Sequence, residues 1–153
     1  MPYSALRQTN VIGTLNAISF AVESGSSIRF VSSVGALCPG DSSSESWPIA
    51  PCGRIGESTS AYGQTKAVSE RLLNSAREKL GMDIAIFRPS DVSGSTTAGF
   101  NNELDFACLS LRAFAKLGCV PEAAMQRDLC WIPVDFVARA VVAVSLSDQI
   151  LSH

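Results

Sequence analysis

The residues of this sequence best suited to chemistry are a tyrosine and a lysine four positions apart, in the segment Ser60-Ala-Tyr62-Gly-Gln-Thr-Lys66. In a helix, side chains at positions i and i+4 lie on one face. An ammonium group beside a phenol favours the phenolate, so we expect Lys66 to lower the pKa of Tyr62 from about 10. A tyrosine tuned in this way can give its proton to a carbonyl oxygen. The alternative is an incidental pair on a solvated helix face.

Two further groups of polar residues follow predicted strands. Ser33 comes just after Ile28–Val31, and Pro89 with Ser90 follows Asp83–Phe87. In an open α/β sheet, ligands bind at the carboxyl ends of the strands. We therefore expect the Ser33 hydroxyl to reach a substrate carbonyl beside the tyrosine, and the loop after Pro89 to lie against a flat cofactor ring. A turn serine with a purely structural role is the alternative for Ser33.

The elements that must position these residues alternate between helix and strand. Apolar residues at helical spacing, together with capping residues, predict helices over Ala5–Glu23, from Thr59 or Ser60 to Leu80, over Glu103–Leu117 and over Val134–Leu146. Short β-branched or apolar runs predict strands at Ile28–Val31 and Asp83–Phe87, and a further apolar segment lies at Leu129–Ile132. The segments Pro39–Ser60 and Ser90–Gly99 are rich in small residues and predict loops. This order is typical of a parallel sheet covered by helices on both faces.

Composition narrows the classes of function. The net charge is −2 and the basic residues are scattered, which leaves no electrostatic footprint for nucleic acid. No apolar run approaches membrane-spanning length, and the first residues, Met1-Pro2-Tyr3-Ser4, lack a charged region followed by an apolar core. We therefore expect neither a transmembrane helix nor a signal peptide, and a cytoplasmic protein without a membrane partner. Five irregularly spaced cysteines and one histidine give no zinc-type spacing, so we expect no metal site and reduced thiols.

Several motifs, in this order, resemble those of an extended short-chain dehydrogenase/reductase, the superfamily that includes NAD-dependent epimerases and dehydratases. They are Asn10-Val-Ile-Gly-Thr14, Phe30-Val-Ser-Ser33, Tyr62-Gly-Gln-Thr-Lys66 and Arg88-Pro-Ser-Asp-Val-Ser-Gly94. Further segments resemble thioester reductase domains: Tyr3-Ser-Ala-Leu-Arg7, Ala67-Val-Ser-Glu70, Gly99-Phe-Asn-Asn-Glu-Leu-Asp105, Leu117-Gly-Cys-Val-Pro121 and Ile132-Pro-Val-Asp-Phe-Val137. Such domains end many nonribosomal peptide synthetases, polyketide synthases, carboxylic acid reductases and aminoadipate reductases, many of them enzymes of secondary metabolism. The resemblance extends from Tyr3 to about Ser147.

The resemblance implies an oxidoreductase that uses NADPH, with Ser33, Tyr62 and Lys66 as the catalytic triad. Tyr62 and Lys66 would also contact the cofactor, since Lys66 would hold the nicotinamide ribose, while Pro89 and Ser90 would border the nicotinamide ring. The substrate would be a thioester on an acyl or peptidyl carrier protein. Its reduction would give a hemithioacetal, which collapses to an aldehyde and can be reduced again to an alcohol. Asn10 would position a neighbouring strand or a water molecule.

The Gly-rich strand–turn–helix unit that binds a dinucleotide pyrophosphate has no counterpart in these residues. Gly53-Arg-Ile-Gly56 lies in a predicted loop without a strand before it. We therefore expect residues 1–153 to form a single partial domain, a Rossmann-like three-layer αβα fragment with a parallel sheet. Relative to the family, roughly 100 residues would precede Tyr3. For this truncated chain we expect weak NADPH binding or none, and either self-association or binding to a complementing polypeptide.

Two alternatives to this function remain at the level of sequence. The first is another extended reductase or epimerase that acts on a free sugar or ketone, which a closed small-molecule pocket without a carrier-docking groove would favour. The second is a non-catalytic remnant, or one piece of a split enzyme, that acts through protein contacts. Failure to bind any nicotinamide nucleotide, together with a stable oligomer, would favour the second.

Overall fold

The computed structural model describes residues 1–37, 60–125 and 130–147. The predicted loop Pro39–Ser60, apart from Ser60 itself, and the Gly53–Gly56 segment lie outside the described residues. The chain divides into two compact units, one made of Met1–Pro89 and the segment that begins at Val144, the other of Ser90–Ala143. Parallel strands and helices make both units α/β.

The first unit begins with a helical segment in three parts: α1 (Tyr3–Arg7), a π-helical turn (Gln8–Ile12) and α2 (Gly13–Ser24). The predicted helix Ala5–Glu23 is confirmed, although its buried face differs from the predicted apolar stripe. Val11, Thr14 and Ala21 are buried, whereas Leu15 and Val22 are exposed. The helix ends because Gly25 adopts the left-handed conformation, at a φ of 64°, which a residue without Cβ reaches at no steric cost.

The two strands of this unit are β1 (Ile28–Val31) and β2 (Ile84–Phe87), which pair in parallel with Ile28 opposite Ile84 and Val31 opposite Phe87. The helix α3 (Ala61–Leu80) joins them along the chain and contributes Leu73 and Ala76 to the core. It begins at Ser60, whose hydroxyl accepts a hydrogen bond from the Gly63 N–H at 3.0 Å. Both strands and the helix were predicted with bounds that differ by at most two residues at each end.

The second unit contains β3 (Asp91–Ser93), α4 (Phe106–Leu117), α5 (Glu122–Met125), β4 (Trp131–Pro133) and α6 (Val134–Ser145). The strands β3 and β4 form their own two-stranded parallel sheet. The interpretation of Ser90–Gly99 as a loop throughout is therefore wrong at β3. A three-residue strand is defined by its pairing with residues about forty positions away, and local sequence carries little of that information.

The helix α4 begins three residues later than predicted because Asp105 caps it, accepting a hydrogen bond from the Ala107 N–H at 2.9 Å. No helix among the described residues is long and apolar enough to span a lipid bilayer.

Candidate functional site

The helix α3 carries Tyr62 in its first turn and Lys66 one turn later. The Lys66 ammonium donates a hydrogen bond of 2.9 Å to the carbonyl oxygen of Val31, the last residue of β1. Its nitrogen also lies 4.8 Å from the centre of the Phe30 ring and 5.7 Å from the centre of the Tyr62 ring. The lysine therefore connects the start of α3 to the carboxyl end of β1, where ligands bind in open α/β sheets.

Ser33 lies two residues beyond that strand end and begins a 3₁₀ turn, Val34–Ala36. Its Oγ accepts a hydrogen bond of 3.1 Å from the Gly35 N–H, and the turn packs against the start of α3. A Cβ on Gly35 would lie 4.0 Å from the Cα of Gly63, a residue next to Tyr62. The preceding serine, Ser32, is 4% exposed, whereas Ser33 is only partly buried. Ser33 is thus the more accessible serine and follows the same strand end as the one that Lys66 contacts.

The electrostatics of the tyrosine and lysine differ from the sequence-based expectation. Partial burial raises the pKa of Tyr62 above its ordinary value of 10.0, although the side chain remains 45% exposed. Partial burial also lowers the pKa of Lys66, and the nearby Glu70 carboxylate opposes that shift. The expectation that Lys66 lowers the pKa of Tyr62 is therefore wrong for this structure. The ammonium donates its hydrogen bond to Val31 instead, and Tyr62 keeps its proton.

The two predicted cofactor-border residues fall in different units. The carbonyl oxygen of Pro89 accepts a hydrogen bond of 3.2 Å from the Val34 N–H, so Pro89 adjoins the turn that follows Ser33. Ser90 begins the second unit, where its hydroxyl donates to the Cys130 carbonyl oxygen at 2.6 Å. The structure thus joins Pro89 to the Ser33 turn by a backbone contact.

Asn10 lies in the π-helical turn and contacts α3 through a polar network. Its amide donates to Thr65 Oγ1 at 2.9 Å, and Thr65 Oγ1 in turn donates to the Tyr62 carbonyl oxygen at 2.7 Å. The carbonyl oxygen of Asn10 accepts hydrogen bonds from Ser69 at 2.9 Å and from Thr14 at 2.6 Å. The network links Asn10 to the turn of α3 that carries Tyr62. Sequence reasoning missed Thr65 and Ser69, whose spacing of four residues on α3 was the available signal.

A buried ion pair, also missed from sequence, lies between α3 and the residue after β2. The Glu70 carboxylate is fully buried, and the Arg88 guanidinium donates to it from both Nε and Nη2. Glu70 lies in the segment Ala67-Val-Ser-Glu70 and Arg88 begins Arg88-Pro-Ser-Asp-Val-Ser-Gly94, but neither motif predicts a role for the charged side chain.

Residues 1–141 match the protein family NAD_binding_4, described as Male sterility protein, and the chain therefore belongs to that family. The family is named for NAD binding, in agreement with the expected class of cofactor, a nicotinamide dinucleotide. Similar proteins include the non-canonical nonribosomal peptide synthetase FrzA of Cladobotryum, which is 32% identical over 99% of this chain and 15% of its own length. The L-2-aminoadipate reductase of Saccharomyces cerevisiae is 35% identical over 95% of this chain and 11% of its own.

Among solved structures, the terminal R domain from the myxalamid PKS-NRPS biosynthetic pathway matches 97% of this chain with a TM-score of 0.84 and 29% identity. The chain corresponds to 37% of that structure. The UDP-N-acetylglucosamine 4-epimerase of Methanobrevibacter ruminantium has a TM-score of 0.64 at 23% identity and shows the fold alone. The predicted resemblance and the Rossmann-like α/β class are confirmed. The chain spans about a seventh or less of the length of these two curated relatives, the synthetase FrzA and the yeast aminoadipate reductase.

Proposed function

We propose that this chain contributes the catalytic residues of an NADPH-dependent reductase that releases a carrier-bound thioester as an aldehyde or an alcohol. The observation that supports this most strongly is the contact between Lys66 and the carboxyl end of β1. It brings the helix turn that carries Tyr62 next to the strand end that leads to Ser33. The family and the similarity to synthetase and aminoadipate reductase chains favour a thioester as the substrate.

The residues at the carboxyl end of β1 have the hydrogen-bond donors that a nicotinamide riboside requires. An ammonium group has three N–H donors, and the Val31 carbonyl accounts for one of the three on Lys66. A ribose hydroxyl is a suitable partner for another. Pro89 would border the nicotinamide ring from the strand end of β2, with Ser90 following it. When bound, the nicotinamide would supply the hydride.

Ser33 and Tyr62 would share the oxygen of the thioester carbonyl. Because Ser33 Oγ accepts its hydrogen bond from Gly35, its own O–H proton is not used in that contact and can be donated to the substrate. Tyr62 holds its proton at neutral pH, since the ordinary pKa of a tyrosine is 10.0 and burial raises that of Tyr62 further, so it would act as the general acid on the same oxygen. Lys66 would place a positive charge beside the oxygen as negative charge develops there.

After hydride reaches the carbonyl carbon and Tyr62 protonates the oxygen, the product is a hemithioacetal. Its collapse breaks the carbon–sulfur bond, returns the thiol to the carrier protein and leaves an aldehyde. We place this chemistry in the cytoplasm, with an acyl or peptidyl carrier protein as the partner. Residues 1–153 would form one part of a single NADPH-binding domain, with weak NADPH affinity or none by themselves.

A chimera tests this proposal. In it the chain replaces the matching segment of the myxalamid R domain, which retains that domain's other residues. We expect the chimera to oxidise NADPH in the presence of a carrier-linked or coenzyme-A thioester, and the 153-residue chain alone to show no measurable turnover. Hydride transfer needs the nicotinamide held close to the substrate carbon, and the isolated chain would lack most of the cofactor's polar contacts. A folded chimera that binds NADPH but leaves thioesters unreduced would contradict the proposed function.

A further inference from the structure

The ion pair between Glu70 and Arg88 has the geometry of a fixed clamp. The Arg88 Nε lies 3.0 and 3.1 Å from the two carboxylate oxygens of Glu70, and Nη2 lies 2.8 Å from Oε2. The Glu70 side chain is 0% exposed and that of Arg88 is 18% exposed. A guanidinium that donates through two nitrogens holds a carboxylate in one orientation as well as one position.

This clamp completes a closed path of contacts around Lys66. Glu70 lies four residues after Lys66 on α3, so their side chains are neighbours on one helix face. Lys66 donates to Val31, and Val31 pairs with Phe87 across the sheet. Arg88 follows Phe87 directly and returns to Glu70. The path therefore passes through both strand ends and through α3.

Stability alone is a weak reason for such a pair. Two buried charges lose their hydration, and well-packed apolar residues of similar size often stabilise a fold as well or better. The position and the charge of the neighbouring Lys66 are better explanations for the Glu70–Arg88 pair. The Glu70 carboxylate favours the charged form of Lys66, which burial disfavours. The guanidinium of Arg88 opposes that effect, because it neutralises much of the Glu70 charge.

We propose that Glu70 and Arg88 are positioning residues that hold the Lys66 ammonium at the end of β1 and balance its charge. Their importance for turnover rests on the function proposed above, whereas their effect on Lys66 does not. The clamp also fixes Pro89, the next residue in the chain, relative to α3. Glu70 and Arg88, for which the sequence predicted no role, thereby determine the position and the charge environment of Lys66.

The groups that face Lys66 come from three elements. Tyr62 and Glu70 lie on its own helix, with Arg88 behind Glu70. The strand β1 presents the Val31 carbonyl and the Phe30 ring. Asn10, on the π-helical turn, lines the same cavity of about 370 Å³ as Lys66. Among these groups of the described residues, Glu70 and Arg88 carry the full charges.

Competitive amine labelling of the full chain tests the proposal. A trace acetylating reagent is applied across a pH series, and mass spectrometry gives the pH at which each lysine is half reactive. The sequence has three lysines, and the exposed Lys79 and Lys116 serve as internal references. We expect Glu70→Gln to lower the pKa of Lys66, since a favourable charge is lost, and Arg88→Gln to raise it. Arg88→Lys, which keeps the charge, should leave the pKa near that of the unaltered chain.

Opposite shifts are decisive because both variants break the same ion pair. A merely structural role would move Lys66 in the same direction in both, and that result, or no shift in Glu70→Gln, would overturn the proposal. Asp83→Asn is the matched control. It breaks the Arg29–Asp83 ion pair at the other end of the strands and should leave Lys66 unchanged. If Glu70→Gln does not fold by circular dichroism, the comparison of Arg88→Gln with Arg88→Lys decides.

Activity of the chimera separates this inference from the function on which it depends. We expect Glu70→Gln to lower kcat by up to about 10²-fold, the range for a small misplacement of catalytic groups. Opposite pKa shifts in the labelled chain, together with a chimera that does not reduce thioesters, would support the clamp and contradict the function. Full activity in Glu70→Gln, with Lys66 unmoved, would support the function and contradict the clamp.

Discussion

At the scale of single residues, Tyr62 and Lys66 both lie at the start of α3, where residues four positions apart share one helix face. The predicted direction of the shift in the Tyr62 pKa was wrong because that shift depends on where the Lys66 ammonium points. Lys66 points to the Val31 carbonyl, a partner 35 residues away along the chain. The spacing of two residues within a helix carries no information about that long-range contact.

The first prediction concerns Tyr62 as general acid. In the chimera, Tyr62→Phe should lower kcat by a factor of about 10² to 10⁴, with a modest change in KM, because the proton donor is lost while the ring remains. Steady-state NADPH oxidation with a coenzyme-A thioester measures this. Tyr3→Phe is the matched control, since Tyr3 is the only other tyrosine in the sequence and has no proposed contact with substrate. Nearly unchanged turnover in Tyr62→Phe would mean that the proton comes from another group.

The pH dependence of the unaltered chimera gives a second, independent measure of Tyr62. Burial raises its pKa above 10.0, so the protonated form persists throughout neutral and mildly alkaline solution. The part of the rate that depends on Tyr62 should be lost only as the pH rises beyond 10, and the Tyr62→Phe variant should lack that loss. A loss of rate centred near neutral pH in the unaltered chimera alone would show a lowered tyrosine pKa.

Lys66 should affect both chemistry and cofactor affinity, because one side chain serves both. Lys66→Ala in the chimera should lower kcat and raise the dissociation constant of NADPH, which fluorescence titration of the nucleotide measures directly. Lys116→Ala, a change at an exposed lysine of the second unit, is the control. An unchanged NADPH affinity in Lys66→Ala would remove the ribose contact from the proposal.

At the scale of elements, local signals located the longer helices and the two longer strands, but not the four-residue helix α5. Ser60, Gly81 and Gly118 mark helix ends in the sequence as in the structure. The sequence did not show the π-helical turn at Gln8–Ile12 or the short strand β3. Both depend on contacts that are distant in sequence, since the Asn10 carbonyl accepts from Ser69 and β3 pairs with β4. Periodicity describes a helix face but not an interruption of its hydrogen bonds.

The start of α3 offers a prediction at this scale. Ser60→Ala removes the side-chain acceptor of the Gly63 N–H and should lower the free energy of unfolding by about 1 kcal/mol. Hydrogen exchange at the Gly63 amide should also accelerate. Urea titration and exchange measured by NMR or mass spectrometry test the two effects. Ser60→Asp, which restores an acceptor and adds a negative charge at the helix N-terminus, should recover the loss. An unaltered exchange rate in Ser60→Ala would contradict the capping role.

At the scale of the whole molecule, the chain exposes several large apolar side chains. The mean hydropathy is +0.21, and the structure leaves Phe20 68% exposed on α2 and Phe106 79% exposed on α4. Within the described residues each strand has one partner, so β1 and β2 each present one unpaired edge. Unpaired edges and exposed apolar side chains favour association with another chain.

We therefore expect the purified 153-residue chain to be oligomeric or poorly soluble at micromolar concentration. Light scattering coupled to size-exclusion chromatography measures this directly. Phe20→Gln should shift the distribution towards the monomer, because it removes an exposed apolar side chain from a helix that packs beside α3. Lys79→Gln, at an exposed polar position of α3, is the control and should leave the distribution unchanged. In a chimera with the rest of the R domain, the partner strands would cover these edges, and the same measurement should give a smaller, soluble species. A stable monomer of the isolated chain, with a high melting temperature, would show that its core closes without a partner and would contradict the prediction.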